Sequence, residues 1–282
     1  YNQHLRGDIA VKREKKGTGF IEGHRRSIWF AIRLVLVIML AASPAFAGHP
    51  LVTDDTGTQG KGHYELEFSG EFERDDTEGA RSEVTTIAGS FAAGVTETID
   101  LVLDVPYQYG RLTEDTDDGH EKTTEDGFSD ISVELKWRFF ERNDLSFAVK
   151  PGVTFPTGAR GKGLGGGRMA YSLYLISTLE AGPACFHMNA GYIQNENKND
   201  ERKELWHASF AAEYPVMEKL ILVANVGVDR NPDTASQTNP AFILGGVVCS
   251  LSDAVDIDFG VKGGLNDVAP DYSLLAGLTF WF

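Results

Sequence analysis

The chain has 282 residues, 26 of them Lys or Arg against 41 Asp or Glu, giving a formal net charge of −15 at pH 7. Acidity on that scale repels phosphate backbones and argues against nucleic acid as a partner. No linker-like stretch divides the chain into separate domains.

From the N-terminus, Arg25 and Arg26 precede a run from Ile28 to Ala42 that is apolar apart from Arg33, and Ala45-Phe46-Ala47 then gives the small-x-small pattern of a signal peptidase site. The run is too short, and too quickly followed by that pattern, to read as a spanning helix. Residues 1–47 are therefore expected to be an upstream extension plus a signal peptide cleaved after Ala47. Residues 1–24, which begin on Tyr1 rather than Met, are expected to reflect a mis-assigned or truncated reading frame rather than a functional leader. The remaining 235 residues hold 18 basic and 38 acidic side chains, a formal charge of −20. A surface so acidic sits beside anionic lipid only where divalent cations or local basic residues mediate.

Residues 48–62 form a polar segment without strand periodicity. Two readings stand: a plug or gate folded into the mouth of the strand-rich region C-terminal to it, because polar backbone groups need hydrogen-bond partners, or a periplasmic tail.

From residue 63 to 282 the sequence breaks into stretches of roughly ten residues with alternating apolar members, separated by turn chemistry. Twelve are expected, at 63–73, 82–92, 98–109, 128–140, 144–155, 168–180, 184–194, 203–214, 219–229, 240–251, 254–264 and 271–282. The connections at 93–97, 141–143, 181–183, 215–218 and 252–253 are tight. Those at 110–127, 156–167, 195–201 and 230–239 are mostly longer and rich in Asp, Glu, Gly and Asn. Short turns at one end and long loops at the other, with an even strand count, predict a single transmembrane antiparallel β-barrel with both termini on the periplasmic side. Aromatic placement supports this, since Tyr and Trp favour the two membrane interfaces. Tyr107, Tyr109, Tyr171, Tyr192, Trp206 and Tyr272 fall at predicted outer ends, and Tyr64, Trp137, Tyr214, Phe280 and Phe282 at periplasmic ends.

The fourth stretch shows why one face must line a lumen. Ile131, Val133, Leu135, Trp137 and Phe139 alternate with Asp130, Ser132, Glu134, Lys136 and Arg138, and a single midplane Lys or Arg facing lipid costs about 2–4 kcal/mol. The same division places Glu65, Glu67, Glu71, Asp100, Asp104, Glu134, Glu213, Asp256 and Asp258 inside with Lys136, Arg138, Lys150 and Lys262. Acid exceeds base, so an open lumen would favour cations or neutral polar solutes. Tyr174, Ile176, Leu275 and Trp281 also point inward, giving the path a partly apolar side. A lumen closed by ion pairs is the competing reading. In the last stretch the alternation runs through Tyr272, Leu274, Ala276, Leu278, Phe280 and Phe282. A final aromatic of this kind resembles the assembly signal of outer-membrane barrels, with Phe280 and Phe282 as its residues and the barrel assembly machinery as partner.

His49-Pro50-Leu51, Thr53-Asp54-Asp55 and Thr58-Gln59-Gly60-Lys61-Gly62, running into a first strand, resemble the opening of the family named "Putative MetA-pathway of phenol degradation". The resemblance extends through length, strand pattern and terminal Phe. It implies an outer-membrane transporter for small, often aromatic, compounds.

Other motifs carry less. His207-Ala-Ser209 is similar to the His-x-Ser pair of outer-membrane acyl hydrolases, but both residues are expected to face inward, with no orienting Asn or acid at recognisable spacing. Gly161-Lys-Gly-Leu-Gly-Gly166 fits a dinucleotide glycine pattern yet opens no helix, so a flexible surface loop is expected. The acidic run Glu114–Glu121 lacks EF-hand spacing and reads as a solvated loop. His49, His63, His120, His187 and His207 show no paired metal-ligand spacing. Cys185 and Cys249 fall in strands that are not neighbours and are expected to be free. The sequence therefore predicts a non-enzymatic outer-membrane channel with no cofactor and no metal, surrounded by outer-membrane lipid and passing small-molecule solutes passively. A non-conducting structural or adhesive barrel is the alternative, and a lipid-modifying esterase comes third.

Overall fold

A computed structural model describes residues 48–116 and 119–282, so the expected leader and its cleavage after Ala47 lie outside the described residues. The strands are β1 (Tyr64–Thr77), β2 (Ala80–Thr96), β3 (Ile99–Thr116), β4 (Gly119–Phe128), β5 (Ile131–Arg142), β6 (Leu145–Phe155), β7 (Ala170–Ala181), β8 (Ala184–Gln194), β9 (Glu204–Met217), β10 (Leu220–Asp229), β11 (Ala241–Ser252), β12 (Val255–Gly264) and β13 (Tyr272–Trp281). Each pairs antiparallel with its sequence neighbours, except that β3 pairs with β4 over 107–116 and with β5 over 99–104. β4 and β5 are thus successive parts of one place in the wall, interrupted at Ser129 and Asp130. The sheet closes through β1 and β13, from Glu65 opposite Trp281 to Arg74 opposite Tyr272. Twelve strand positions make the expected closed antiparallel barrel.

Closure matters energetically because an edge strand in hydrocarbon leaves N–H and C=O groups without partners. The seam is completed at the chain terminus. Tyr64 N donates to Phe282 O at 3.1 Å, and Phe282 N donates back to Tyr64 O at 3.0 Å.

The connections β2–β3, β5–β6, β7–β8, β9–β10 and β11–β12 are two-residue turns, while the opposite end carries the loops 156–169, 195–203, 230–240 and 265–271. In barrels of this kind short turns face the periplasm and longer loops face outward. The outward side chains are apolar and exposed, among them Leu101, Leu135, Leu173, Leu175, Leu222 and Phe259, which is the surface a lipid bilayer covers.

Three details differ from the sequence reading. The stretch 110–127, expected as a loop, continues the β3–β4 ladder at least to the Thr116–Gly119 pair, and β1–β2 also pair out to Thr77 and Ala80. Beyond the membrane both faces meet water, so apolar alternation fades while backbone pairing persists. A register shift between Arg138 and Phe140 on β5 brings Phe140 to the outer face beside Phe139, a bulge that a strict period of two cannot express. The glycine-rich loop is held rather than loose. Asp130 accepts from Gly158 N and Gly166 N, both at 2.8 Å, and a single 3-10 turn (Arg160–Lys162) is all the helix it forms. Cys185 on β8 and Cys249 on β11 are free.

Candidate functional site

The lumen wall has two sides. On β10, β11 and β13, Val223, Phe242, Leu244 and Leu275 form a buried apolar cluster against which Leu51 packs. Acidic and basic side chains fill the arc on β1, β3, β5 and β6. Between them lies the segment 48–60. It forms no strand and satisfies its polar groups by side-chain contacts spread around the barrel.

Asp54 is the electrostatic centre. Lys136 Nζ reaches Asp54 Oδ1 at 2.9 Å and Asp55 Oδ1 at 3.1 Å, and Lys150 Nζ reaches Asp54 Oδ2 at 2.9 Å and Glu134 Oε2 at 3.0 Å. Burial alone would push the Asp54 carboxyl up. The two ammonium groups outweigh it and hold the group well below the usual carboxylate range. The Asn189 amide, oriented to satisfy both its ends, accepts from Asp54 N at 2.7 Å and donates to Asp54 O at 2.8 Å.

Either side of this centre the segment is pinned to other strands. His49 Nδ1 lies 2.6 Å from Asp258 Oδ1, and His49 N donates to Glu67 Oε2 at 3.2 Å. Val52 N and Thr53 N both donate to Asn225 Oδ1, at 2.8 and 3.1 Å. Thr56 N donates to Thr178 Oγ1 at 3.1 Å, and the Thr56 and Ser146 hydroxyls are 2.5 Å apart. Thr58 Oγ1 donates to Glu97 O at 3.0 Å. Gln59 N donates to Asp100 Oδ2 at 2.9 Å, and its amide donates to Glu65 Oε2 at 2.8 Å, an oxygen that also accepts from Trp281 Nε1 at 3.0 Å. Pro50, Thr53, Asp55, Thr56 and Thr58 are buried as a result.

Wall glycines make room for this path. A Cβ on Gly277 would collide with Asp258 Oδ2 and stand 2.7 Å from His49 Nδ1, and one on Gly94 would collide with the Gly60 carbonyl.

Of the residues singled out from sequence, the structure brings His49, Pro50, Thr53, Asp54, Asp55, Thr58, Gln59 and Gly60 together with Glu65, Glu67, Asp100, Glu134, Lys136, Lys150 and Asp258. Others stand apart from the segment. Lys262 pairs with Glu71 at 2.5 Å and Glu73 at 3.5 Å, and Asp104 accepts from Ser132 Oγ at 3.1 Å. Arg138 pairs with Glu141 at 3.1 Å near the turn end. Asp256 lies opposite Ser250 and Thr279, and Glu213 lies 3.7 Å from buried His187. Sequence reasoning missed Asn189, Asn225, Thr178 and Ser146. Asn225 did leave a signal, as an amide at an inward position between Ala224 and Val226.

One expectation is corrected. His207 and Ser209 face inward, but an orienting acid does exist: His207 Nδ1 is 2.7 Å from Asp229 Oδ1, across the ladder on β10, and its Nε2 is 2.8 Å from Ser209 Oγ. Strand pairing supplied a partner that linear spacing hid. Ser209 Oγ accepts from Thr53 Oγ1 at 2.7 Å, and Thr53 Oγ1 accepts from Asn225 Nδ2 at 2.7 Å, so the relay ends on the segment. The flanking strands β8, β9 and β10 pair continuously in register around the relay. Among the described residues no group of His, Cys, Asp and Glu has metal-binding geometry.

Near the loop end a cavity of about 220 Å³ opens between β2, β3, β4 and the loop after β6. Val84, Leu112 and Leu164 give it apolar surface, Gln108 and Thr123 give it neutral polar atoms, and Arg111, Glu125 and Lys162 give it charged ones.

The fold resembles that of the COG4313 outer membrane channel from Pseudomonas putida F1, with a TM-score of 0.61 and 15% identity over 81% of this chain and 98% of that one. It also resembles the translocator domain of the autotransporter NalP from Neisseria meningitidis, with a TM-score of 0.50 and 10% identity over 92% of this chain and 97% of that one. No functionally curated protein matches the sequence. Residues 47–282 match the family described as "Putative MetA-pathway of phenol degradation", and the chain, a twelve-position barrel of the Gram-negative outer membrane, belongs to that family.

Proposed function

We propose that this protein is a passive outer-membrane channel for small solutes in which residues 48–60 act as a plug. The observation that carries this reading is the way the segment is held. It adds no strand to the wall and sits on ion pairs and single hydrogen bonds, which water can replace as the segment moves. Release would leave the wall intact, because the barrel closes through β1 and β13 without it. There is no nucleotide motif in the sequence, so passage would follow the solute gradient.

The solute class follows from two surfaces. The outer cavity is of a size for one small ring, with apolar and polar atoms together. On β10, β11 and β13, the strip of Val223, Phe242, Leu244 and Leu275 would offer an apolar track once the segment, whose Leu51 packs on it, is released. Small neutral amphipathic molecules, phenols among them, suit both, in line with the family's name. The terminal aromatics Phe280 and Phe282 would serve the barrel assembly machinery.

The test is single-channel conductance of residues 48–282 in a planar bilayer under a salt gradient, beside a variant lacking 48–60. The expected result is a small, cation-preferring conductance that rises several-fold on deletion, loses cation preference in E67Q/D258N, and is blocked by phenols. A folded deletion variant that stays silent would replace the channel with a structural or adhesive barrel.

A further inference from the structure

The outer wall carries a groove as well. At the loop end of β8, β9 and β10 it encloses about 370 Å³ and is lined by Tyr192, Arg202, Glu204, Leu205, Trp206 and Arg230. Tyr192 and Trp206 lie opposite each other on adjacent strands and are 49% and 39% exposed, on the outward face. Arg230 N bonds to Trp206 O at 2.8 Å, which sets Arg230 beside Trp206 on the next strand, in the same row as the aromatic pair. Arg202 N bonds to Pro232 O at 2.7 Å, farther out.

The charge state of these two guanidinium groups stands out in so acidic a chain. Arg74, Arg81, Arg111, Lys162, Arg168 and Lys203, all toward the same end, each meet a carboxylate. Arg202 and Arg230 make no ion pair among the described residues. Arg202 donates instead to the carbonyls of Asn231, Asp233 and Ser236, and Arg230 donates to Asn239 Oδ1 at 3.1 Å. Neutral oxygens hold the two side chains in place without neutralising them. A guanidinium presents a planar fork suited to two oxygens of one anion. Tyr and Trp mark the depth at which hydrocarbon gives way to headgroups.

We propose that this groove binds the phosphorylated headgroup of an outer-leaflet glycolipid, with Arg202 and Arg230 on the phosphate and Tyr192 and Trp206 against its sugar and first methylenes. The occupant is a lipid rather than free phosphate because the cationic pair sits on the outer surface of the wall, at and just beyond the aromatic belt, where headgroups lie. The site also resolves an electrostatic difficulty, since residues 48–282, with a formal charge of −20, would otherwise repel an anionic leaflet. Glu204 lies in the same groove and acts against the phosphate, so its neutralisation tightens binding.

The experiment is native mass spectrometry and thermal unfolding of the refolded chain in mild detergent, titrated with a bis-phosphorylated glucosamine lipid, its dephosphorylated form, and inorganic phosphate. The phosphorylated lipid is expected to stay bound and raise the unfolding temperature. Relative to it, R202Q/R230Q is expected to bind about tenfold more weakly, a difference of about 1.4 kcal/mol. E204Q is expected to bind more tightly. R230Q alone leaves the Arg202 bonds to the loop untouched, so its loss of affinity separates the phosphate contact from loop disorder. Equal binding of the dephosphorylated lipid, competition by inorganic phosphate at equal concentration, or unchanged affinity in both arginine variants would each overturn the assignment.

Discussion

The same strands build two walls that obey different rules. Outside, Leu101, Leu135, Leu173 and Leu175 are exposed and interchangeable, because lipid asks only for apolar surface. Inside, polar side chains meet particular partners, and the partner is distant in sequence: Asp54 with Lys136 and Lys150, Thr53 with Asn225, His49 with Asp258. The outer wall carries the barrel's stability and the inner wall carries the position of one peptide. Damage to each should therefore be separable.

The largest effect is expected inside. Lys136→Met withdraws one of the two ammonium groups that Asp54 faces, and breaking a buried ion pair costs about 3–5 kcal/mol. The lower end applies because Lys150 still meets Asp54. That energy belongs to docking of the segment, so open-channel conductance should rise toward that of the deletion variant while the unfolding midpoint of the barrel stays put. A drop in barrel stability with unchanged conductance would erase the distinction between the walls.

The reciprocal substitution is Leu175→Arg, in the middle of β7 and 48% exposed on the outer face. A midplane Arg facing lipid is expected to cost about 2–4 kcal/mol. Urea unfolding in phospholipid vesicles should show the loss, with conductance of the surviving barrels unaltered. Its inward neighbour Tyr174 lies over Lys150, so the wall changes character within one residue.

This contrast also explains how much the sequence alone discloses. The outer wall writes itself into sequence as a period of two, and twelve strands, both aromatic belts and the inward charges follow from it. The inner contacts have no period. Lys136 and Asp54 are each visible as inward or polar residues, yet nothing along the chain joins them until the barrel closes. The same holds for Asp229 and His207, neighbours only across the β9–β10 ladder. Legibility fails again where water replaces lipid, in the β3–β4 extension, because pairing no longer requires an apolar face.

Asn225→Ala tests a neutral contact of the inner wall. It removes the acceptor of Val52 N and Thr53 N and the donor to Thr53 Oγ1, and an unsatisfied buried group costs about 1–3 kcal/mol. Protease nicking of the 48–60 segment should increase, by less than in Lys136→Met. Ser209→Ala removes one further bond of that relay and is expected to weaken docking by about 1 kcal/mol. Hydrolysis of a p-nitrophenyl ester should be the same before and after that change; a rate that vanishes with Ser209 would make the Asp229–His207–Ser209 relay catalytic.

The smallest effect is expected from pH across the ordinary range. A carboxyl held below its usual value stabilises the docked state fully at every pH above its free value, and that contribution is lost as pH falls from the free value through the docked one. Asp54 is such a group, because burial opposes its charge but two ammonium groups more than offset burial. The docked segment binds no proton at Asp54 under conditions where the released segment still would not, so this contact contributes no slope between neutral and mildly acidic pH. Loss should begin only as pH falls into the normal carboxylate range, where the released state takes up a proton first. Protease nicking of residues 48–60, followed from neutral pH downward with an acid-stable protease at the low end, should accordingly stay flat through the mildly acidic region in D54N and wild type alike, with D54N displaced upward throughout. A wild-type curve that rises already near neutrality would move control of the segment away from Asp54.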